Sequence, residues 1–191
     1  MISRPLFALL GVVVLAIAAC TSQPEPAKPG SDKPPESASA PSRYQHEHDS
    51  APPRPIDPAD VHDAVPRPDP ILSVGNASPY TIDGVTYEVL DNHKGYRMRG
   101  IASWYGAKFH GHETSNGEIY DLYQASAAHK TLPIPCFAKV TNLDNGKSMI
   151  VRVNDRGPYA HGRGLDLSKG AADKIGLTGS GVGRVLVTRL N

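Results

Sequence analysis

Met149-Ile-Val-Arg-Val-Asn-Asp155-Arg-Gly-Pro-Tyr-Ala-His-Gly-Arg-Gly-Leu-Asp166-Leu-Ser168 reads as two strands joined by a short loop. Met149, Val151 and Val153 alternate with Ile150, Arg152 and Asn154, the period of a pleated strand with one buried face. The run breaks at Asn154-Asp155-Arg156-Gly157-Pro158, residue types that favour a turn. The chain becomes extended again at Leu165-Asp166-Leu167-Ser168. Asp155 therefore stands where a buried strand gives way to a loop. The strand fixes such a side chain and the loop leaves it accessible, which suits chemistry. The same position also suits an aspartate that merely satisfies nearby backbone amides.

Outward from this stretch, folded structure begins near Ser78. Tyr80-Thr81-Ile82 and Val85-Thr86-Tyr87 flank Asp83-Gly84, a two-residue hairpin signal. A strand is expected through Gly100-Ile101-Ala102-Ser103-Trp104-Tyr105-Gly106, then a turn-rich loop from Gly111 to Asp121. Leu122 to His129 reads as a short helix or irregular chain. Phe137–Leu143 and Lys147–Asn154 form a second hairpin across Asp144-Asn145-Gly146. A helix is expected from Ser168 as N-cap through Ala171, Ala172 and Ile175, stopping at Gly176. Arg184–Leu190 is the last strand. Many short strands, one or two short helices and no alternating βαβ pattern predict a mainly β protein built as a small closed barrel.

The N-terminal part differs in kind. Arg4 and the apolar run Leu6–Ala19 have the form of a secretory signal, too short for a good membrane span, which takes about 20 apolar residues. The run ends Ile17-Ala18-Ala19-Cys20, which resembles a bacterial lipobox and implies cleavage before Cys20 and lipidation of its thiol. Acyl chains worth about 0.8 kcal/mol per buried CH₂ would then hold the protein on a membrane. With Thr21 rather than aspartate after the cysteine, the resemblance to lipoproteins implies the outer membrane. From Thr21 to Pro70 the chain reads as a disordered linker: 13 of its 18 prolines fall there, with few large apolar residues. The expected division is a signal peptide at 1–19, the lipidated cysteine and linker at 20–77, a hairpin extension at 78–95 and the barrel at 96–191. His46, His48 and Asp49 lie in the linker and are a weak metal-site pattern.

The 20 basic and 19 acidic residues nearly cancel, but unevenly, with 13 basic and 7 acidic from Tyr96 onward. A modestly basic domain suits a polyanionic partner and suits solubility equally. With Cys20 lipidated, Cys136 has no intrachain partner. Its apolar neighbours Ile134, Pro135 and Phe137 point to a buried, inert thiol rather than a nucleophile. Ser115, His129 and Asp155 are the types of a hydrolytic triad, but no nucleophile elbow surrounds the serine. His110, His112 and Glu113 lack zinc-protease spacing. No metal, cofactor or nucleic-acid partner is expected.

Five segments occur in one order: Gly100-Ile-Ala-Ser-Trp-Tyr-Gly106, Phe109-His-Gly111, Thr114-Ser-Asn-Gly-Glu-Ile-Tyr-Asp121, Ala127-Ala-His-Lys-Thr-Leu-Pro133 and Val153-Asn-Asp-Arg-Gly-Pro-Tyr159. Together they resemble the RlpA ("rare lipoprotein A") family, over about Ser78 to Leu190. The resemblance implies a six-stranded double-psi β-barrel and lytic cleavage of peptidoglycan glycan strands. It puts functional weight on Glu118, His129 and Asp155, with Asp121 in the same groove and Trp104, Tyr105, Arg156 and Tyr159 as substrate contacts. Leu122, Tyr123 and Ser126 depart from the family's usual Pro, Asn and Thr, and Gly164 replaces a branched apolar residue. Both departures bear on the groove's shape. The sequence given ends at Asn191 without the SPOR repeat many members carry, so septal targeting is not implied.

Breaking a glycosidic bond takes a proton donor at the leaving oxygen and stabilisation of positive charge at the sugar carbon. A lytic transglycosylase manages with one carboxyl group, because the C6 hydroxyl of muramic acid is a nucleophile already in place. Asp155 is the expected acid and then base. Glu118 is its expected neighbour, and His129 a hydrogen-bond partner to either. A non-catalytic glycan-binding lipoprotein and a two-carboxylate hydrolase are the competing readings.

Overall fold

The computed structural model describes residue 52 and residues 54–190. The expected signal peptide, Cys20 and the histidines of the linker lie outside the described residues.

A two-stranded hairpin, β1 (Tyr80–Ile82) and β2 (Val85–Tyr87), precedes the barrel. Its turn residues Asp83 and Gly84 have φ of 48° and 77°, the left-handed pair that a tight two-residue hairpin needs. The barrel consists of β3 (Arg97–Tyr105), β4 (Ser126–His129), β5 (Cys136–Asn142), β6 (Ser148–Asp155), β7 (Arg163–Ser168) and β8 (Gly183–Arg189), closed in the order β3-β7-β4-β6-β5-β8. The pairs β3/β7 and β4/β6 are parallel and the others antiparallel. This is the six-stranded double-psi barrel. Closure gives every barrel strand a neighbour on both sides.

Alternation explains the core. Met149, Val151 and Val153 of β6, Ala138 and Val140 of β5, Leu165 and Leu167 of β7, and Val185 and Val187 of β8 are at most 2% exposed. Each fully buried Val or Leu contributes roughly 1.5–3 kcal/mol. One end is plugged by helix α1 (Lys169–Lys174), whose cap Ser168 accepts through Oγ from the N–H of Ala171 at 3.3 Å. Gly176, at φ 67°, ends it, in the left-handed conformation usual after a helix.

Two expectations are corrected. Residues 126–129 are neither helical nor irregular: they form β4, between β6 and β7. All four of its residues are buried, so no polar face breaks the pattern and periodicity gave no strand signal. The second correction concerns the proline-rich segment. Residues 54–77, expected as linker, lie along the barrel as a strap. Val61 is 3% exposed within the core, and Ile56 and Ala64 pack against it. Ala64 donates its N–H to Ile150 O at 2.9 Å, and Asp63 Oδ1 accepts from Ile150 N at 2.9 Å. The reason is the shortness of β4. Its pairing with β6 begins at Arg152, so the strap supplies Ile150 with partners there. Prolines do not prevent this, because an extended strap uses few donors. Further on, Gly75 (φ 75°) passes so close to the next loop that a Cβ would lie 2.5 Å from Ser115 O.

The departures from the family pattern find local reasons. Met98 fills the space a side chain at Gly164 would need, with Cε 2.8 Å from the ideal Cβ position. Leu122 is fully buried, and the Tyr123 ring takes the Arg54 guanidinium 5.0 Å above it.

Candidate active site

The pairing of β4 with β6 slips by one residue: Ala127 faces Val153, but Ala128 faces Asp155. Asn154 is the extra residue. Strict alternation would aim Asp155 inward with Val151 and Val153; the irregularity turns it outward instead, as bulges beside active sites do. Asp155 then lines a cleft of about 570 Å³ with Tyr105, Phe109, Ser115, Tyr120, Tyr159 and Asp166. Its Oδ1 accepts from Ser115 N (2.9 Å), Ser115 Oγ (2.6 Å) and Arg156 N (2.8 Å). Among the described residues no protein group hydrogen-bonds Oδ2. Asp155 is thus both a turn aspartate and a groove carboxyl, one oxygen for each task. Ser115, which sequence reading considered only as a nucleophile, orients it.

Aromatic rings form the walls. Tyr105 stacks on Tyr120 at 4.2 Å and meets Phe109 edge-on at 5.9 Å. Tyr159 also lines the cleft, and Tyr87, 5.3 Å from Tyr80 and 5.7 Å from Tyr159, joins the hairpin to the loop after β6. Burial pushes the hydroxyls of Tyr105 and Tyr159 well above the usual tyrosine range, so both stay neutral donors.

Glu118 is elsewhere. It shares a separate recess of about 380 Å³ with Asp121, Arg152 and Asn154. Arg152 donates to it from Nε (2.9 Å to Oε2) and Nη2 (2.6 Å to Oε1), Asn154 Nδ2 donates at 2.9 Å, and Asn116 Nδ2 at 2.9 Å. The Arg152 guanidinium, together with these amides, holds its carboxyl down to about 2. A group so strongly kept ionised is a poor proton donor at neutral pH. Arg152 also binds Asp69 of the strap through Nη1. Glu118 belongs to a clamp between the 114–118 loop, β6 and the strap. Asp121 accepts from Tyr123 N at 3.0 Å and lies 3.7 Å from His110, likewise outside the Asp155 cleft.

His129 is 3% exposed. Its Nδ1 accepts from the N–H groups of Thr131 and Leu132 at 3.1 and 3.0 Å, which leaves Nε2–H to donate to Tyr96 Oη at 3.0 Å. Burial, with help from the positive Arg156 and Lys130, pushes it down to about 4. It is a neutral histidine that shapes the loop after β4 and touches neither Asp155 nor Glu118, so no Ser-His-Asp relay forms. Arg156 lines the cleft, and its guanidinium is held in a cage of carbonyl groups. Nη1 donates to Leu132 O (2.6 Å) and His129 O (3.1 Å), Nε to Gly75 O (2.7 Å), and Nη2 to Asn76 Oδ1 (2.8 Å). Trp104 packs against the core under Lys169, whose Nζ lies 5.3 Å from the ring centre. Of the expected substrate contacts, Tyr105, Arg156 and Tyr159 line the cleft; Trp104 and Asp121 do not. Cys136 is 4% exposed, and burial pushes its thiol up to about 11, the inert state expected of it.

Sequence reading missed Asp166, which lines the cleft. Asp166 follows Leu165 and precedes Leu167, both core residues, so alternation alone puts it on the opposite face. The sequence carries that signal, but only the β4 register shows that this face is also Asp155's. Among the described residues no group of three or more His, Cys, Asp and Glu side chains is gathered in a way that would hold a metal.

A closed double-psi barrel with a carboxyl-bearing, aromatic-walled cleft matches a known class of domain. A family model described as lytic transglycolase covers residues 97–187. The protein named endolytic peptidoglycan transglycosylase RlpA from Vibrio cholerae is 47% identical over 176 residues, covering 92% of this chain and 60% of that one. Its namesake from Pseudomonas aeruginosa strain UCBPP-PA14 is 48% identical over 179 residues, covering 93% and 51%. That from Campylobacter jejuni is 52% identical over 111 residues, covering 58% and 40%. The chain belongs to the RlpA family. It spans about half to three-fifths of the length of the first of these relatives.

Proposed function

We propose that this protein is a lytic transglycosylase: it cleaves peptidoglycan glycan strands between N-acetylmuramic acid and N-acetylglucosamine and leaves anhydromuramic ends. The observation that carries the reading is Asp155, a cleft residue held through Oδ1 by three donors, with no protein partner at Oδ2 among the described residues. A fixed carboxyl group with one free oxygen can deliver a proton to a glycosidic oxygen and recover one from the attacking hydroxyl. Tyr159, exposed at the cleft, offers a flat face for a sugar ring, as amphipathic aromatic groups do. The names of the relatives support the substrate class. Glu118 and His129 act at a distance in this reading, as clamp and loop support.

The test is product identity. Digestion of purified sacculi in heavy-oxygen water should release fragments with anhydro ends and no label at the new muramic terminus. Label there would make the protein a hydrolase; binding without fragments would make it a scaffold.

We propose also that Cys20 is lipidated and anchors the protein to the outer membrane, facing the periplasm. The Ile17-Ala18-Ala19-Cys20 site supports this. Cys20→Ala should then yield a protein that no longer fractionates with the outer membrane. A variant that stayed membrane-bound would refute the anchor.

A further inference from the structure

We propose that the working carboxyl pair of this site is Asp155 with Asp166, Asp166 giving the proton to the leaving oxygen and Asp155 taking one from the attacking hydroxyl. The inference rests on the glycan-cleaving reading and deepens it.

The geometry comes from register. Ala128 of β4 pairs with Asp155 on one side and with Asp166 on the other, and Asp166 pairs onward with Ser103 of β3. Asp155, Ala128, Asp166 and Ser103 thus form one row across four strands. Residues in one row project to one face. The two aspartate Cα atoms are two strand spacings apart, on the order of 10 Å. Between them stands only the Ala128 methyl group, and all three residues line the same cleft. A larger side chain at 128 would fill the gap; alanine leaves it open for a substrate oxygen. The side chain of Asp166 is 18% exposed, enough to reach the cleft.

The charged and titratable groups around Asp166 are few. Tyr105 and the Ser103 hydroxyl come from β3, Lys130 from the loop after β4, Asp155 from the end of β6, and Arg163 from its own strand. Ser103 Oγ donates to Asp166 Oδ1, and Arg163 Nη1 lies 3.8 Å from that atom while donating to Ser103. Burial raises the carboxyl's affinity for its proton and the Asp155 charge adds to it; Ser103, Arg163 and Lys130 oppose them, and the net direction is upward. Glu118, clamped by Arg152, cannot take this role.

The step balances. Asp166 protonates the glycosidic oxygen as the C1–O bond breaks and its electron pair leaves with that oxygen. The C6 hydroxyl oxygen bonds to C1, and its proton passes to Asp155. The proton returns from Asp155 to Asp166 through cleft water before the next cycle.

The test uses the purified full chain and sacculi. Asp166→Asn should lower the release of anhydro-ended fragments by about 100-fold or more while sacculus binding is kept. Asp166→Glu should restore part of the rate with a shifted alkaline limb of the pH profile. Wild-type rate and an unchanged alkaline limb in Asp166→Asn would overturn the proposal. A second measurement stands apart from turnover and from that variant's folding. Carbon-13 carboxyl NMR should show the Asp166 midpoint falling when Asp155 is replaced by Asn; an unmoved midpoint would overturn the pairing. If the wild type released no fragments, the functional reading would fail, and the NMR titration would still decide whether the two carboxyl groups are coupled.

Discussion

Two carboxyl groups that the family pattern treats alike, Asp155 and Glu118, stand in opposite surroundings. Asp155 is gripped through one oxygen and leaves the other to a cleft walled by tyrosines. Glu118 is gripped through both oxygens by Arg152 and also by Asn154 and Asn116. The same short loop serves both: Ser115 turns to Asp155, and Asn116 and Glu118 turn to the clamp. Reactivity follows from what is left unsatisfied. A carboxyl group whose partners are all protein is structure; one with an oxygen in reserve is available for chemistry.

The sharpest way to break this contrast is Asp155→Asn. It should cost at least about 100-fold in cleavage, with fold and sacculus binding intact, because the amide keeps the shape but can neither take nor give a proton. Near wild-type turnover in a folded variant would remove Asp155 as the reacting group. Next in size is Arg152→Ala. It strips Glu118 and Asp69 of their common partner and should lower stability by about 1–3 kcal/mol in urea unfolding. An unchanged midpoint would show the clamp to be idle.

Glu118→Gln should slow cleavage only a few-fold, and every residual product should still carry an anhydro end. Its clearer effect is on acid stability. The folded-state value near 2 lies below the ordinary 4.5, so the contribution is full above about pH 4.5 and lost as pH falls toward 2. Because Glu118 is 36% exposed, salt should weaken it. His129 acts in a higher window for the same reason of sign. Its value is pushed down from 6.5 to about 4, so its contribution is full above 6.5 and lost as pH falls through 4. Unfolding midpoints measured from pH 7 to 3 should fall in two stages, and Glu118→Gln should remove the lower one. The smallest change is Val61→Ala, about 1–2 kcal/mol for two buried methyl groups. Unaltered stability in that variant would mean that the strap adds nothing to the barrel.

The strands with one polar face were legible in the sequence: β3, β5, β6, β7 and β8, the Asp83-Gly84 turn, and the Ser168 cap. Each rests on a local signal, alternation or turn chemistry, that survives folding. β4 was not legible, because a strand buried on both faces has no alternation to read. The strap was not legible either, since composition reports how little apolar surface a segment has and not which backbone groups await it on the barrel. Position along the chain identified Asp155 as a residue at the end of a buried strand. It could not say which way the side chain points. That was decided by the slip at Asn154, which turns Asp155 away from Val151 and Val153 and into one row with Ala128 and Asp166. Register is a relation between strands distant in the chain, so the residue types were written in the sequence while their meeting was left to the tertiary structure.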